Sequence, residues 1–573
     1  MKKALIPFIA SLLAVPVLFA GGCGPDNTPR AQELKRAGDE IAARAYENLK
    51  DMDKPEYQMR ESYIYTIANG QPQGKGDMEA IASGYAAVLS EIEEAEEKYR
   101  DILDLSGVED YKAYATWMLV YLDAQASWIE ASTYMDQAMD PVQTPGAEDV
   151  DAAAAAIEID IQREKVIGYR REASDYFDFA YQLDKEKLHA SDPAADGTPF
   201  HVRLSWENDP TTSITVHWET DPWLPGYNPR VELGREADDI SIDCKGESFR
   251  TYFSDYEQHE VELACLLPAT TYYYRYGSPD YGWSEVLSFR TPPDGMEEYT
   301  FCVVGDSRSA SADSTDVSEW GRVASAAAAE DPFFSLLLGD EVFLGYEDEY
   351  WPPCLGEGEP LFKEGSAMAS HGNHEEYAME YFDRFSLPGN ERWYSFDVGG
   401  IHFVCLDTGL MDYSERPLLA QQSPWLEEDL QQAEEGGVEW TVVFFHRPPY
   451  ASGEGYGDQP DIVAEWVPIF DRYGVDLVLT SHEHFYQRSF PMREGQALTA
   501  AGNLYADPGG TVYVIQGCGG APFSDPLPAA WTASMAKEFG YTMVRVMPGE
   551  TSSLEVVTKT VEGEVLDSFT LTK

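Results

Sequence analysis

Phe333-Phe334-Ser335-Leu336-Leu337-Leu338-Gly339-Asp340 is a short apolar run that stops on a glycine and an acid. A run of that length, rich in Phe and Leu and closed by a turn signal, fits a buried strand. The glycine permits a tight turn that carries the next side chain out of the sheet. The same figure recurs along the chain. Residues 300–304 lead into Gly305-Asp306-Ser307-Arg308, residues 441–445 into His446-Arg447, and residues 476–479 into Ser481-His482-Glu483-His484. Gly372-Asn373-His374-Glu375 lies between them. Helical patterns at 423–433 and 462–473 alternate with these runs, so residues 298–573 read as an α/β layered domain with buried strands. Later alternating runs at 511–516, 541–546 and 554–560 read as a second sheet, which predicts two packed sheets flanked by helices.

The polar ends of these runs carry chemistry. Six of the ten histidines fall between His371 and His484. Asp306 to Asp340, Asp340 to Asn373, and His446 to His482 are 34, 33 and 36 residues apart. Each interval suits one strand–helix crossover, so the ligands are expected at the carboxyl edge of one sheet, where open α/β sheets bind. Oxygen and imidazole donors without thiolate suit Zn, Mn or Fe. Each motif alone is weak, since Gly-Asp is a common turn. All five in order, each at a strand's end, exceed what packing alone produces. Rival motifs fail: His482-Glu-His484 lacks the i, i+4 spacing of a zinc-protease helix, and there is no G-x-S-x-G elbow. Gly453-Glu-Gly-Tyr-Gly457 lacks the Lys of a phosphate loop.

Upstream, the period changes. Residues 201–206, 213–218, 258–263, 271–276 and 286–290 alternate apolar and polar between turn residues, predicting a β-sandwich over 197–293. His201, His217 and His259 lie on its strands and read as structural. Residues 88–103, 111–139 and 152–188 repeat apolar residues at three and four, predicting a helical segment over 23–190 of unassigned role: spacer, lid or docking module. Its aromatic stripe, Tyr111, Tyr114, Trp117, Tyr121 and Trp128, reads as core packing more readily than as a ligand groove.

With 101 Asp plus Glu against 40 Lys plus Arg, the 573-residue chain has a formal charge of −61, which excludes nucleic acid as a general partner. Hydrophobic content of 43% excludes wholesale disorder. The acidity fits either a halophile's solvated surface or an extracellular one. Lys2-Lys3 followed by apolar residues 4–20 reads as an export signal over 1–22. Ala20-Gly21-Gly22-Cys23 resembles a bacterial lipoprotein box, without the usual Leu three places before the Cys; plain cleavage after Ala20 is the alternative. The expectation is an exported protein, either a cell-envelope lipoprotein tethered through lipidated Cys23 or a secreted one. Among the other six cysteines, Cys302 and Cys405 read as buried thiols, and Cys244 with Cys265 as the favoured disulfide.

The ordered motifs resemble those of the calcineurin-like binuclear metallophosphoesterases, in the purple acid phosphatase-like branch. That branch carries a fibronectin type III-like module immediately upstream, and residues 267–275 with Phe289-Arg-Thr-Pro-Pro293 look like one. Further matching phrases are Trp393-Tyr-Ser-Phe-Asp397, Ser423-Pro-Trp-Leu426, His446-Arg-Pro-Pro-Tyr450 and His482-Glu-His-Phe-Tyr-Gln-Arg488. The resemblance runs from about Thr198 to the C-terminus. It implies two divalent or mixed-valence metal ions (Fe, Zn or Mn) and a phosphate-ester substrate. Asp340 would bridge the ions; Asp306 and His484 would complete one site, and Asn373, His446 and His482 the other. His374 would stand at the leaving-group oxygen as general acid or electrostatic stabiliser. Arg308, Asn373 and Arg447 would contact the phosphate.

Two departures stand out. Arg308 occupies the place, two after the first Asp, where many members supply a His ligand, and a guanidinium has no lone pair for a metal. Phe343 stands where the purple branch has a Tyr, so the ferric charge-transfer colour is expected to be absent. The implied activity is phosphomonoester hydrolysis by water activated at two metals. The alternatives are a phosphodiesterase or nucleotidase, or a surface-tethered binding protein with a degenerate centre.

Overall fold

The computed structural model describes residues 26–69, 78–143, 152–188, 197–252, 254–409, 416–455, 457–498 and 502–573. The export signal, Cys23 and most of the segment joining the helical region to the sandwich lie outside them. The 3.6-residue periodicity resolves into four helices: α1 (Thr28–Asn69), α2 (Met78–Leu103), α3 (Glu109–Gln143) and α4 (Ala152–Leu183), the last closing in a π turn. Tyr111, Tyr114, Tyr121 and Trp128 are all buried, so the aromatic stripe is core; Trp117 sits at its partly open edge against Phe179. At its centre Lys35 donates to Asp39 and Asp184, each at 2.6 Å, a pairing that makes a buried ammonium tolerable. The bundle packs on the rest of the chain. Tyr46 stacks on Tyr252 at 5.0 Å, and Tyr181 donates to Glu257 at 2.9 Å.

The β-rich region is two sheets facing one another through Trp218, Tyr276, Tyr227 and His259. His259 bonds Thr220 and Ser248, His217 lies 3.3 Å from Ser205, and His201 pairs with Glu219, so all three histidines hold strands together. One of the two sheets is shared. Strand Phe200–Ser205 pairs in parallel with Ser366–Ala369 through Leu204 and Ser366, which makes the sandwich continuous with the α/β domain in one eleven-stranded sheet. The expected disulfide is absent: Cys244 and Cys265 are free thiols. Cys244 lies on the edge strand Ile242–Lys245 of one sheet, and Cys265 follows Glu257–Leu263 of the other. Cys302 and Cys405 are fully buried, as their apolar runs imply.

The α/β domain is a sandwich of two sheets with Phe301, Phe334, Phe396 and Phe403 interlocked between them at 5.0–6.1 Å. In the first sheet Tyr299–Val304, Phe334–Leu337 and Ser366–Ala369 run parallel, flanked by antiparallel Gly540–Met547 and Ser553–Thr560. In the second, Ile401–Cys405, Trp440–Phe444, Leu477–Thr480 and Val512–Gln516 run parallel. Two expectations are thereby corrected. The late strands divide between both sheets instead of forming one of their own. The five motifs likewise leave the carboxyl edges of two facing sheets, three from the first and two from the second. The predicted helix 462–473 is broken into Pro460–Glu465 and Val467–Tyr473, because Pro468 has no N–H to continue the first.

Candidate active site

Asp306, Asp340 and Asn373 enter the site from the first sheet, His446, His482 and His484 from the second. Neither acid is placed by glycine freedom alone. Asp306, Asp340 and His482 themselves take left-handed φ of 57°, 56° and 68°, conformations costing about 1–3 kcal/mol each that concentrate at functional sites. Gly339 is needed for a different reason: a Cβ there would come within 2.8 Å of the Gly372 backbone and 2.9 Å of His446 Nδ1. That close approach lets the Asp340 and Asn373 turns stack edge to edge.

Backbone carbonyls fix which nitrogen each imidazole turns inward. His446 Nδ1 lies 2.8 Å from the Leu338 carbonyl, His484 Nδ1 2.6 Å from that of Pro522, and His374 Nδ1 2.7 Å from that of Phe343. A carbonyl only accepts, so each Nδ1 carries the proton and each Nε2 faces the centre with a lone pair. These nitrogens stand close to the other candidate ligands. His446 Nε2 is 3.0 Å from Asn373 Oδ1, 3.1 Å from His482 Nδ1 and 3.3 Å from Asp340 Oδ1. His484 Nε2 is 3.3 Å from Asp306 Oδ1.

Lone pairs converge this way where a cation belongs, and the donors fall into two groups, Asp340–His446–His482 and Asp306–Asp340–His484, sharing Asp340. The residues present therefore fit two metal ions with a common carboxylate. Burial raises the Asp340 carboxyl, but the charges of His446, His374 and Arg308 outweigh it and hold the pKa well below the usual range. Against burial, Asp340 draws His446 up to about 9, so without a metal a proton takes the cation's place.

Arg308 and His374 stand beside this centre, both against Phe343. The Arg308 guanidinium lies over the Phe343 ring at 5.0 Å, with Nε 3.6 Å from Asp340 Oδ2 and Nη2 3.4 Å from His484 Nε2. His374 packs on the same ring at 4.9 Å, its Nε2 3.8 Å from Asp340 Oδ2. Burial and the Arg308 charge bring its pKa down to about 3, so the resting imidazole is neutral.

Arg447 departs from expectation. It is 1% exposed, its guanidinium donates to the Thr408 carbonyl and its N–H lies 3.3 Å from Thr408 Oγ1. It ties two strand ends together from within instead of lining the cleft.

Glu375 does more than its place in Asn373-His374-Glu375 implies. Its carboxylate accepts backbone N–H bonds from Gly372, Asp340, Glu341 and Val342 at 2.8–3.3 Å, so one side chain ties the Asp340 turn to the Asn373 turn. Burial and then the neighbouring Glu375 charge push Glu341 well above the carboxylate range. Burial also lifts Glu375, to about 7, and the backbone donors around it favour the charge there over Glu341. An acid in a turn just after Gly372, with no Lys or Arg nearby in sequence, was the available signal.

Three family descriptions match the chain in order: the purple acid phosphatase N-terminal domain over residues 199–291, the calcineurin-like phosphoesterase over 299–486, and the iron/zinc purple acid phosphatase-like C-terminal region over 510–568. Human acid phosphatase type 7 is 30% identical over 413 residues, covering 65% of this chain and 91% of that protein. Purple acid phosphatase 18 of Arabidopsis thaliana is 27% identical over 375 residues, 61% of this chain and 78% of that one. Among solved structures, purple acid phosphatase PPD1 from yellow lupin seeds superposes with a TM-score of 0.57 at 21% identity, covering 65% of this chain and 74% of that one; at that identity the likeness concerns the fold. The chain is thus a phosphoester hydrolase belonging to the calcineurin-like metallophosphoesterases, in their purple acid phosphatase-like branch.

Proposed function

We propose that this chain is an exported phosphomonoesterase working through two metal ions held by Asp306, Asp340, Asn373, His446, His482 and His484. The observation that carries the reading is the convergence of carboxylate and imidazole donors in two groups that share Asp340. Bound there, the ions supply Lewis-acid activation of water and neutralise charge on the phosphoryl group. The chain's own residues do the rest. Arg308 offers N–H donors to non-bridging phosphate oxygens, a fork suited to that geometry. His374 presents Nε2 to the leaving-group oxygen while Phe343 holds its Nδ1. An arriving phosphate dianion favours the protonated imidazole that the empty pocket disfavours, which suits proton delivery to the departing alkoxide. Phe343 walls one side of that space, against both Arg308 and His374.

Residues 1–22 are read as the export signal, Cys23 as a lipidation site, and 197–293 as a fibronectin type III-like module; these readings rest on sequence texture. Among the described residues no helix is long and apolar enough to cross a membrane. The test is hydrolysis of p-nitrophenyl phosphate against bis-p-nitrophenyl phosphate after chelation and return of Mn, Zn or Fe. Preference for the monoester is expected. Preference for the diester overturns the monoesterase reading, and activity on neither ester favours a binding protein. Asp340→Asn should lose both metal and turnover.

A further inference from the structure

The segment between strand Ser366–Ala369 and helix Met379–Arg384 carries Asn373 and His374, and its far end is held from outside the phosphoesterase domain. Glu376 and Tyr377 take left-handed φ of 50° and 54° in succession, without a glycine. Two such residues side by side persist only where surrounding contacts over-determine them. Part of that hold is internal to the domain. The Tyr377 N–H donates to His371 Nε2 at 2.9 Å, its ring stacks on His371 at 4.2 Å, and its hydroxyl donates to Asp407 at 3.0 Å.

A further part comes from helix α4. Arg163 and Arg170, seven residues and two turns apart, present the same face to the segment and are 3% and 4% exposed. Arg170 donates from Nη1 to the Glu376 carbonyl at 3.2 Å while its guanidinium lies 4.3 Å from the centre of the Trp128 ring on α3. Arg163 stands over the Tyr377 ring at 5.9 Å. Between them in sequence, Glu164 receives Arg392 at 2.9 Å, and Arg392 holds Asp407 at 2.8 Å and covers Tyr377 at 4.4 Å.

We propose that the helical segment is a positioning element for catalysis, with Arg170 as its principal residue: by anchoring the Glu376 carbonyl it sets where Asn373 and His374 stand relative to Asp340. This rests on the functional reading above. The reason for choosing Arg170 over the ion pair is location. Its bond falls on the strained backbone itself, two residues from His374, whereas Glu164 acts through Arg392 and Asp407. A buried arginine bonded to a carbonyl also stiffens a segment in a way water cannot replace.

The test compares full-length wild type with Arg170→Met and Arg170→Lys at saturating metal. For Arg170→Met a fall in kcat of about 10- to 100-fold is expected, with KM changed less than about twofold, because a small misplacement of reacting groups costs rate before it costs binding. Amide exchange of residues 371–378 should quicken while the global unfolding midpoint stays close to wild type. Arg170→Lys should recover part of the rate and of the protection. Faster exchange with unchanged kcat overturns the proposal, as does unchanged exchange. A parallel loss of kcat and of global stability, with no recovery by Lys, also overturns it and makes Arg170 a fold residue. If wild type hydrolyses neither ester, the functional reading fails; the exchange comparison still decides the clamp, unaltered protection refuting it.

Discussion

Replacing Arg308 by Ala isolates the phosphate-recognition part of the site from the metal part. The guanidinium is nearly enclosed, with a side chain 10% exposed, yet its polar contacts are loose: Nε to Asp340 at 3.6 Å and Nη2 to His484 at 3.4 Å, with one ordinary bond, Nη1 to the Ser309 carbonyl at 3.1 Å. The first two exceed hydrogen-bond length, so moving onto a phosphate oxygen forfeits little. A charge-assisted bond is worth about 1.5–3 kcal/mol, which converts to about 10- to 150-fold. On the proposed reading Arg308 would touch the phosphoryl oxygens in ground state and transition state alike, so the loss should fall on KM with kcat nearly kept. The assay is steady-state hydrolysis of p-nitrophenyl phosphate at saturating metal, read with the inhibition constant of inorganic phosphate, which should rise by the same factor. Arg308→Lys should fall between, keeping charge but losing the fork. An unchanged phosphate constant with a reduced kcat, or altered metal stoichiometry, would refute the reasoning and make Arg308 a brace for Asp340.

Three further outcomes are expected. The metal-loaded wild-type protein should be colourless, since Phe343 offers no phenolate, and a visible charge-transfer band would contradict this. His402 sits between Asp397 and Asp429 at 2.8 Å each and, despite burial, is raised to about 9 from 6.5. A raised folded pKa gives stability fully present below about pH 6.5 and lost as pH rises through about 9. At 1.36 kcal/mol per unit the ceiling is about 3 kcal/mol, discounted to about 2 because Asp397 is 70% exposed. His402→Asn should therefore lower the urea midpoint at pH 6 and hardly at pH 10; equal losses at both would refute the assignment. Lastly, a chain of charge −61 repels its own anionic substrate at long range, so kcat/KM should rise with moderate salt or added divalent cation. A steady fall with salt would count against that.

The candidate metal ligands were legible because each lies two to four residues past the end of a strand, and the strand–helix period brings such positions together without further information. His446 and Asp340 needed only their spacing. What the period could not say was which sheet each strand joins. Residues 541–546 and 512–516 alternate alike, yet one pairs with Tyr299–Val304 and the other with Leu477–Thr480. Partner choice depends on side chains across the sandwich, such as Phe301 against Phe403, and not on the strand's own pattern. Arg447 failed for a related reason. Adjacency to His446 suggested a role in the cleft, but a strand-end residue alternates direction, and the Thr408 carbonyl captures it on the other side. The disulfide expectation failed because two cysteines with 20 residues between them say nothing of facing sheets.

The helical segment is the extreme case of the same limit. Nothing in residues 28–188 resembles a catalytic constellation, and the family matches begin at residue 199. Its relevance lies wholly in contacts such as Arg170 to Glu376, separated by 206 positions, and Arg392 to Glu164, separated by 228. Both involve a charged side chain that a periodicity argument assigns to the solvent face. Their burial is informative for that reason. Desolvating Arg163, Arg170 and Arg392 costs several kcal/mol per charge and repays only where each meets a fixed acceptor or an aromatic face. Three such arginines gathered behind one strained segment are an expensive way to pack a bundle and an effective way to fix a turn. That imbalance is what favours the proposal that the bundle supports the active site over the reading of it as a spacer.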